Sequence, residues 1–375
     1  MTRAGLVVVN TSASWGGNEH WAVAVARGLA GRGRPVRFLW SHDVVGERVA
    51  AAGLAGRRLV LRNDADAPAL LDLRAELVRA GAGAVLLTRW REYLLGGLAA
   101  RLAGRPRTVL RLGLRGTPRD DLKRRLIFRL ADRVIVNAPE IRDDLLTRPW
   151  IAADRVDVVV NGLDLAAWRP RWAPPRREAA AAWRQARGIP QDAPLVVTVG
   201  NLTGQKDHAS LVAAAHLLHG RVPGLRVVIL GEGDLRPALQ ADIDRRGLGG
   251  MVTLAGFAPD PADALAAADL FVLSSVNEGM ARALVEAAAT GLPAVTTDVS
   301  GARHCVEDGR TGRVVAVGDA AALAGAMHAV LTLPAADRDA MGRRARALAE
   351  QRFALDRMLD QTEAVLFGRP GRATS

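Results

Sequence analysis

The sequence predicts an α/β protein of two domains, each built around a parallel β-sheet. The chain has 375 residues, and domains of about 100 to 200 residues are typical, so there is room for two. Hydrophobic residues make up 49% and charged residues 24% of the chain, as in ordinary globular proteins. Short β-branched runs alternate with alanine-rich stretches, which is the pattern of βαβ units.

Runs rich in valine, isoleucine and leucine predict six strands in each half of the chain. In the first half they cover residues 5–10, 36–40, 84–87, 108–112, 133–137 and 157–160. In the second half they cover residues 195–199, 226–230, 252–254, 270–273, 294–297 and 313–315. A helix over residues 19–32 is predicted after the first strand. Open sheets of this kind bind ligands at the carboxyl ends of their strands, so we expect the two sheets to face a central cleft.

Three prolines mark the predicted domain boundary. Pro170, Pro174 and Pro175 fall within residues 169–177, where they disfavour a helix and interrupt the βα alternation. The predicted division is a first domain, a linker, a second domain and a C-terminal helix that returns to the first domain before a short tail. Their ranges are residues 1–168, 169–177, 178–355 and 356–375.

The basic surplus of the chain lies entirely in its first half. Residues 1–175 contain 29 basic and 17 acidic residues, whereas the remaining residues contain 22 of each. Residues 101–133 alone hold 11 basic residues against three acidic ones. Such a patch favours a polyanion or an anionic membrane surface. A solvated arginine face remains the alternative interpretation.

Several targeting and framework signals are missing from the sequence. The apolar run at residues 6–9 is too short for a signal peptide. The longest uncharged stretch, residues 320–336, contains His328 and Pro334, so no membrane span is predicted. Cys305 is the single cysteine, which excludes a disulfide framework and an all-cysteine metal site. We therefore predict a cytoplasmic protein.

A double glycine follows the first predicted strand. Gly16, Gly17 and Asn18 precede the helix over residues 19–32, where glycine lets the backbone approach a ligand and a helix N-terminus offers free N–H groups. The spacing is not that of a dinucleotide site, which argues against an NAD enzyme. A turn needed only for close packing of strand and helix is the alternative interpretation.

A lysine follows the first strand of the second half. Lys206 comes after Gly200 and Asn201 and is one of two lysines in the chain. A compact ammonium group after a strand suits a phosphate. A surface lysine is the alternative.

Two glutamates stand eight residues apart after residues 270–273. With a helix that begins near Met280, Glu278 lies in the preceding loop and Glu286 lies about two turns in. Carboxylates at these places can accept hydrogen bonds from the hydroxyls of sugars. Glutamates that merely complement the helix dipole are the alternative, and Arg282 is interpreted as a surface charge.

Taken in order along nearly the whole chain, these motifs resemble those of family-4 glycosyltransferases, the retaining, group 1 enzymes with the GT-B fold. The motifs are Gly16-Gly17, Asn161-Gly162-Leu163-Asp164, Asn201 with Lys206, Gly231-Glu232-Gly233, Gly256-Phe257, Glu278 with Glu286, Gly291-Leu292-Pro293 and Asp308-Gly309-Arg310-Thr311-Gly312.

The resemblance implies a role for each matched residue. Lys206 would bind the donor diphosphate, Glu278 the hydroxyls of the donor sugar, and Glu286 the ribose, with Lys206 and Glu278 as the catalytic residues. The implied donor-binding residues are Gly200, Asn201, Lys206, Gly231, Gly256, Phe257, Glu278, Gly279, Met280, Ala281 and Glu286. Gly16, Gly17 and Asn18 would form a loop for acceptor or phosphate.

No cofactor and no metal are implied beyond a nucleotide-sugar donor, expected to be a UDP- or GDP-sugar. Two acidic pairs have the spacing of metal ligands, Asp64 with Asp66 and Asp242 with Asp244. We interpret them as surface acids.

The chain departs from the family pattern at three places. Asn201 replaces a usual arginine, which leaves Lys206 to supply the charge. His304, with Arg303 beside it, replaces a glutamate that is common before the last glycine motif.

The third departure concerns a histidine that many members carry in the first domain near the reacting carbon, since no histidine occurs between His42 and His208. Arg89, Arg111 or Arg115 could substitute for it as a hydrogen-bond donor. The alternatives are that acceptor activation relies mostly on the donor phosphate, or that the enzyme is impaired. His20 is a further alternative, and His208 is interpreted as a packing or helix-surface residue.

The sequence thus predicts a retaining glycosyltransferase of cell-surface polysaccharide, lipopolysaccharide or glycolipid synthesis, with a saccharide or lipid-linked acceptor and no nucleic acid partner. A sugar epimerase or phosphorylase of the same fold and a non-enzymatic polyanion-binding protein are the alternatives. A predicted helix over residues 117–131 carries Lys123, Arg124 and Arg125 beside apolar residues. This mixture suggests peripheral binding at the inner face of the cell membrane.

Overall fold

The computed structural model describes residues 4–368 and divides them into two α/β units. The first unit runs to Gly162 and resumes at Asp356, and the second is Leu163–Leu355.

The first unit is a seven-stranded parallel sheet in the order β3-β2-β1-β4-β5-β6-β7. Its strands are β1 (Gly5–Asn10), β2 (Val36–Trp40), β3 (Gly56–Arg58), β4 (Ala82–Leu87), β5 (Arg107–Leu112), β6 (Arg133–Val136) and β7 (Val156–Val158). Its helices are α1 (Gly17–Gly31), α2 (Asp43–Ala51), α3 (Ala67–Arg79), α4 (Trp90–Leu102), α5 (Leu122–Leu130) and α6 (Pro139–Leu146), with a 3-10 turn at Ala153–Arg155.

The second unit is a six-stranded parallel sheet in the order β10-β9-β8-β11-β12-β13. Its strands are β8 (Leu195–Val199), β9 (Arg226–Leu230), β10 (Val252–Gly256), β11 (Leu270–Leu273), β12 (Ala294–Thr297) and β13 (Gly312–Val315). Its helices are α7 (Pro174–Gln185), α8 (His208–Leu218), α9 (Arg236–Arg245), α10 (Ala262–Ala267), α11 (Arg282–Thr290), α12 (Ala302–Cys305), α13 (Ala320–Leu331) and α14 (Ala335–Arg352). The last helix, α15, is Leu355–Phe367.

The central strands of both sheets are buried along their whole length. All six residues of β1 and all four of β11 are inaccessible to water, because helices cover both faces of a parallel sheet. This explains why these strands appear in the sequence as continuous apolar runs. The prediction of two Rossmann-like α/β domains with parallel sheets is confirmed.

One strand escaped the sequence analysis. β3 is the three-residue segment Gly56-Arg57-Arg58 at the edge of the first sheet, and it has no apolar pattern that would predict a strand. A Cβ at Gly56 would lie 2.0 Å from the carbonyl oxygen of Phe38. Glycine therefore allows β3 to pair closely with β2.

The predicted linker over residues 169–177 lies inside the second unit, and α7 begins within it. Pro174 and Pro175 occupy the first turn of α7, where a backbone N–H has no helical partner and proline is well tolerated. Pro174 and Pro175 thus start a helix, whereas Pro170 precedes it. The helix predicted over residues 117–131 is also shorter, since the side chain of Asp121 caps α5 at Leu122.

Helix α15 packs within the first unit. Arg32 contacts Asp360 at 2.7 Å, and Arg34 contacts Glu363 at 2.5 Å. Leu359 fills the space that a side chain at Gly28 would need. The tail predicted at the C-terminus falls in residues 369–375, outside the described residues.

No single helix within residues 4–368 has both the length and the apolar composition to cross a bilayer. The pair α13 and α14 meets these criteria only jointly, and it is bent by 110°.

Helix α14 approaches α11 at a glycine, and a substitution there tests this packing. A Cβ at Gly342 would lie 2.3 Å from the carbonyl oxygen of Gly291, the residue that ends α11. We expect Gly342→Ala to destabilise the second unit by about 1–3 kcal/mol, because overpacking would force the helices apart. Urea unfolding midpoints measure the effect.

Gly325 in α13 is the matched control, since a Cβ there would meet no atom within 4 Å. Gly325→Ala should stabilise the protein by about 0.5–1 kcal/mol through helix propensity. A Gly342→Ala variant as stable as the parent would contradict the described packing of α14 on α11.

Candidate functional site

The second sheet has its topological switch point between β8 and β11. From β8 the chain continues to β9 on one side, and from β11 it continues to β12 on the other. Connections that diverge in this way leave a crevice at the carboxyl ends of the two strands, where open α/β sheets bind ligands. Lys206 follows β8 and Glu278 follows β11, so strand order brings both predicted residues to this crevice.

Lys206 and Glu278 form a direct ion pair. Lys206 Nζ lies 2.5 Å from Glu278 Oε1, and Ser275 Oγ donates to the same oxygen at 2.7 Å. The Glu278 side chain is almost fully buried, whereas one fifth of the Lys206 side chain is exposed. The cation therefore neutralises a buried carboxylate and still presents part of its surface to a ligand.

Hydrogen bonds hold the loops after β8 and β11 together. Ser274 Oγ donates to the carbonyl of Lys206 at 3.0 Å. Val276 N donates to the carbonyl of Gln205 at 2.9 Å, and Gln205 Nε2 donates to the carbonyl of Asn277 at 2.9 Å. The position of Lys206 relative to Glu278 is thus fixed by backbone as well as by charge.

Three of the predicted glycines meet at the same edge of the sheet. A Cβ at Gly231 would lie 1.9 Å from the carbonyl oxygen of Gly200, and Gly231 N donates to the carbonyl of Gly256 at 2.8 Å. The side chain of Lys206 lies across Gly200, where a Cβ would be 3.2 Å from Lys206 Cδ. These glycines allow the loops after β8, β9 and β10 to converge.

The other predicted donor-binding residues divide into exposed and packed groups. Asn201 is exposed and Phe257 is more than half exposed. Met280 and Ala281 are buried. A Cβ at Gly301 would lie 2.6 Å from the carbonyl oxygen of Gly279, so Gly301 approaches the segment before α11 closely. Glycine at position 301 therefore allows close packing against the backbone that precedes α11.

Helix α11 begins at Arg282, two residues later than the sequence analysis predicted, because Ala281 adopts an extended conformation. Glu286 accordingly lies about one turn into the helix, and the prediction of two turns is wrong. Burial raises the pKa of Glu286, and the Arg282 guanidinium opposes this shift. Arg282 Nε donates to Glu286 Oε1 at 2.6 Å, so this partly exposed arginine, interpreted from the sequence as a surface charge, pairs with a buried carboxylate.

His208, interpreted from the sequence as a packing or helix-surface residue, packs against the loop after β8. It is the first residue of α8, it is buried, and its Nε2 lies 3.3 Å from the carbonyl oxygen of Gly200. Desolvation lowers the pKa of His208 to about 4, so its ring is neutral at pH 7.

The switch point of the first sheet lies between β1 and β4. Partly buried polar side chains form a hydrogen-bonded network there. Asn18 Nδ2 donates to the carbonyl of Thr88 at 3.0 Å, and Arg111 donates to Asn18 Oδ1. Arg89 donates to Ser12 Oγ and lies 3.1 Å from Glu19 Oε1. Three candidate residues of the sequence analysis, Arg89, Arg111 and Asn18, thus lie in one region of the first unit.

Arg115 does not join this network. It lies in the loop after β5, half of its side chain is exposed, and its Nε is 3.0 Å from Asp144. Arg111 belongs to β5 itself and is only 2% exposed, with its guanidinium 4.2 Å from the centre of the Trp21 ring. Desolvation lowers the pKa of Arg111 to about 10, which leaves it charged at pH 7.

The double glycine opens α1 without a packing constraint. Gly16 is the N-cap and no side chain caps the helix. A Cβ at Gly17 would meet no atom within 4 Å, so close packing of strand and helix does not require this glycine. His20 accepts a hydrogen bond on Nε2 from Trp15 Nε1 at 2.7 Å, which engages that nitrogen within the loop.

Glu92 is a residue that the sequence analysis missed. It is fully buried and accepts hydrogen bonds from Thr11 N and Arg89 N, both at 2.9 Å, and from Thr88 N. It therefore joins the ends of β1 and β4. Desolvation raises the pKa of Glu92 to about 7. The sequence gives no capping-box signal for it, because the N-cap of α4 is Arg89 rather than a serine or threonine.

The acidic pairs of the sequence analysis have other partners in the structure. Asp66 caps α3 by accepting from Ala69 N, and Asp64 pairs with Lys123. Asp242 lies 3.0 Å from Arg246. Within the described residues no group of three or more histidine, cysteine, aspartate or glutamate side chains could hold a metal ion.

Comparison with known proteins matches the second unit to a family model. Residues 180–348 match the model of the glycosyl transferases group 1. The lipopolysaccharide core biosynthesis glycosyltransferase LpsE of Rhizobium meliloti is 29% identical over 54% of this chain and 55% of its own length. A D-inositol 3-phosphate glycosyltransferase of Nocardia farcinica is 34% identical over 57% of this chain and 47% of its own length. The chain therefore spans about half the length of these curated relatives.

Solved structures resemble the chain over nearly its whole length. Anabaena HepE in complex with UDP and glucose has a TM-score of 0.86 at 20% identity, covering 97% of this chain and 99% of that one. A glycosyltransferase from Rickettsia africae has a TM-score of 0.86 at 17% identity, covering 98% of each chain. At this identity the likeness establishes the fold, which is that of solved glycosyltransferases.

The pH dependence of stability tests the burial of the Glu92 carboxylate in the network of the first unit. Its pKa is raised from 4.5 to about 7 in the folded state. A folded acid with a raised pKa holds its proton more tightly than the unfolded chain does, so its contribution to stability is lost as pH rises from about 4.5 to 7. We expect the unfolding free energy of the parent, relative to Glu92→Gln, to fall across this interval and to level off above it. Urea unfolding at several pH values measures this difference, and a constant difference from pH 4.5 to 8 would contradict it.

Proposed function

We propose that the protein is a glycosyltransferase that moves a sugar from a nucleotide-sugar donor to a saccharide or lipid-linked acceptor. The observation that carries this proposal is the Lys206–Glu278 pair at the switch point of the second sheet, inside the segment that matches the group 1 model. The similarity to glycosyltransferases in sequence and fold supports the same class of reaction.

The second unit supplies the donor site in this proposal. Lys206 binds the diphosphate, because its ammonium is held at the crevice and is partly exposed. Glu278 accepts hydrogen bonds from hydroxyls of the donor sugar, since its Oε1 already binds Lys206 and Ser275 and its second oxygen remains available. Glu286 accepts from the ribose. A UDP- or GDP-sugar fits this set, and UDP is bound in the HepE structures.

The chemistry assigned to the site is electrostatic. As the bond between the sugar and the diphosphate breaks, negative charge develops on the leaving phosphate oxygens. Lys206 and the uncapped first-turn N–H groups of α11 stabilise this charge. In line with the family resemblance, the transfer retains the configuration of the sugar and proceeds without a cofactor or a divalent metal ion.

The first unit supplies the acceptor site. Arg111 is fully enclosed by Asn18, Asn161 and Trp21, so it positions Asn18. Arg89 is 39% exposed in its side chain, and it is the arginine that can donate a hydrogen bond to an acceptor in place of a histidine. We assign the reaction to cell-surface polysaccharide, lipopolysaccharide or glycolipid synthesis, supported by the similarity to LpsE.

We further propose that the first unit binds the inner, cytoplasmic face of the cell membrane through α5. Ile127, Phe128 and Leu130 are buried, so they do not contribute, whereas Leu122 is 85% and Leu126 42% exposed. Lys123, Arg124 and Arg125 pair with Asp64, Asp121 and Asp120. The two exposed leucines beside partly exposed basic groups form the surface that would meet anionic lipid.

The donor assignment is tested by removing the Lys206 ammonium. We expect Lys206→Ala to keep the fold but to lower kcat/KM roughly ten- to 150-fold, since one charge-assisted contact contributes about 1.5–3 kcal/mol. Sugar transfer with a panel of UDP-, GDP- and ADP-sugars measures it. Lys123→Ala removes the other lysine of the chain and should transfer at the parental rate. Equal rates for both variants would refute the role of Lys206.

Metal independence is tested with a chelator. Transfer in EDTA should equal transfer in buffer, because Lys206 and α11 supply the positive charge that a metal would otherwise provide. A complete loss of activity that magnesium restores would show that the reaction needs a metal ion.

Membrane binding is tested by sedimentation with vesicles. The parent should bind vesicles of phosphatidylglycerol better than those of phosphatidylcholine at low salt, since each basic group near an anionic surface contributes about 1 kcal/mol. Leu122→Ser with Leu126→Ser should weaken this binding. Leu217→Ser, which alters an exposed leucine of α8, is the control. Equal binding to both kinds of vesicle would reject the membrane proposal.

A further inference from the structure

Each of the two carboxylates in the proposed donor site is paired with one cation. Glu278 Oε1 binds Lys206 at 2.5 Å, and Glu286 Oε1 binds Arg282 at 2.6 Å. The first pair joins two loops, whereas the second joins successive turns of α11. The family resemblance assigns a role to both glutamates and to Lys206, and it leaves Arg282 without one.

Helix stability by itself does not favour a basic residue at this position. Arg282 is the first residue of α11, and Glu286 follows it four residues later. A cation in the first turn opposes the helix dipole. The order of basic residue before acidic residue is also the weaker orientation for such a pair. The contact therefore calls for an explanation in terms of Glu286.

Glu286 needs a cation because it is buried. Glu286 is 5% exposed, and desolvation raises the pKa of its carboxyl group. Asp260, in the loop before α10, raises it further, and Arg282 is the charge that lowers it. Helix α14 packs on α11, but its Arg346 binds the carbonyl of Ala289 at the far end of the helix. Arg282 is thus the cation that acts on this carboxylate.

We propose that Arg282 is a positioning residue that keeps Glu286 ionised and oriented, so that Glu286 can accept hydrogen bonds from the ribose hydroxyls of a nucleoside diphosphate. A carboxylate accepts through both oxygens, whereas a protonated carboxyl group must donate through one of them. Arg282 Nε donates to Oε1 from the side of the helix start, and in this proposal Oε2 accepts from the ligand. This inference rests on the proposed function and adds a residue that sets donor affinity.

The experiment compares nucleotide affinity in the parent, Arg282→Met, Glu286→Gln and the double variant. Titration calorimetry with UDP, GDP and ADP is carried out between pH 6 and pH 9. Arg282→Met should bind about tenfold more weakly than the parent at pH 6 to 7 and approach the parent at pH 9, because deprotonation restores the carboxylate. Glu286→Gln should be weakened at every pH. In the Glu286→Gln background, Arg282→Met should cost nothing further.

Two further variants separate this role from a general effect. Arg282→Lys keeps a cation and should bind more tightly at pH 7 than Arg282→Met does. Arg246→Met removes a pair of the same spacing, between Asp242 and Arg246 at the end of α9, and should leave nucleotide affinity unchanged.

A measurement without nucleotide examines Glu286 directly. Burial already raises the pKa of Glu286 in the parent, and in Arg282→Met this pKa should rise further. The fall in stability as pH rises above about 4.5, measured relative to the matching variant that lacks the carboxylate, should then be larger for Arg282→Met than for the parent. Urea unfolding from pH 5 to pH 8 measures this difference.

The outcomes are distinct. If Arg282→Met binds like the parent at all pH values while Glu286→Gln is weakened, or if the stability difference depends on pH no more in Arg282→Met than in the parent, the inference on Arg282 is overturned and the proposed function stands. If the parent binds none of the three nucleotides, the proposed function fails and the inference fails with it.

Discussion

Parallel sheets restrict where this protein can place reactive groups, and both units depend on that constraint. Helices cover the two faces of each sheet, so the interior of β1 or β11 contains only apolar residues. The carboxyl ends of the strands remain open, most of all where the chain connections diverge. In the second unit this point lies between β8 and β11 and receives Lys206 and Glu278. In the first unit it lies between β1 and β4 and receives Arg89 and Glu92.

Buried glutamates are stabilised in two ways in this structure. Glu278 and Glu286 each have a cation within 2.6 Å, which offsets part of the desolvation of both partners, and Glu19 of the first unit also pairs with an arginine. Glu92 accepts instead from backbone N–H groups, and desolvation raises its pKa to about 7. Backbone N–H groups fix the strand ends but bring no net positive charge to the carboxylate.

Glycine has two separate uses in the molecule. Gly231 and Gly342 permit backbone segments to approach so closely that a Cβ would overlap a carbonyl oxygen. A Cβ at Gly17, at the start of α1, would meet no atom within 4 Å. The packing of the first unit therefore does not require glycine at this position. Gly231 and Gly342 therefore serve the packing of sheets and helices, whereas Gly17 leaves room at a helix N-terminus.

The sequence by itself determined the two α/β units, most of the strands, and the placement of Gly200, Lys206 and Glu278 in the segments that follow strands. These features are local, because apolar runs and turn residues follow the period of a single element. Tertiary structure decided which charges are partners, since this depends on strand order and on contacts between distant residues. Lys206 meets Glu278 and Glu92 meets Thr11 in this way, whereas Arg115 is drawn to Asp144 and away from Arg111. The edge strand β3 was likewise decided by its pairing with β2, since three polar or small residues carry no period of their own.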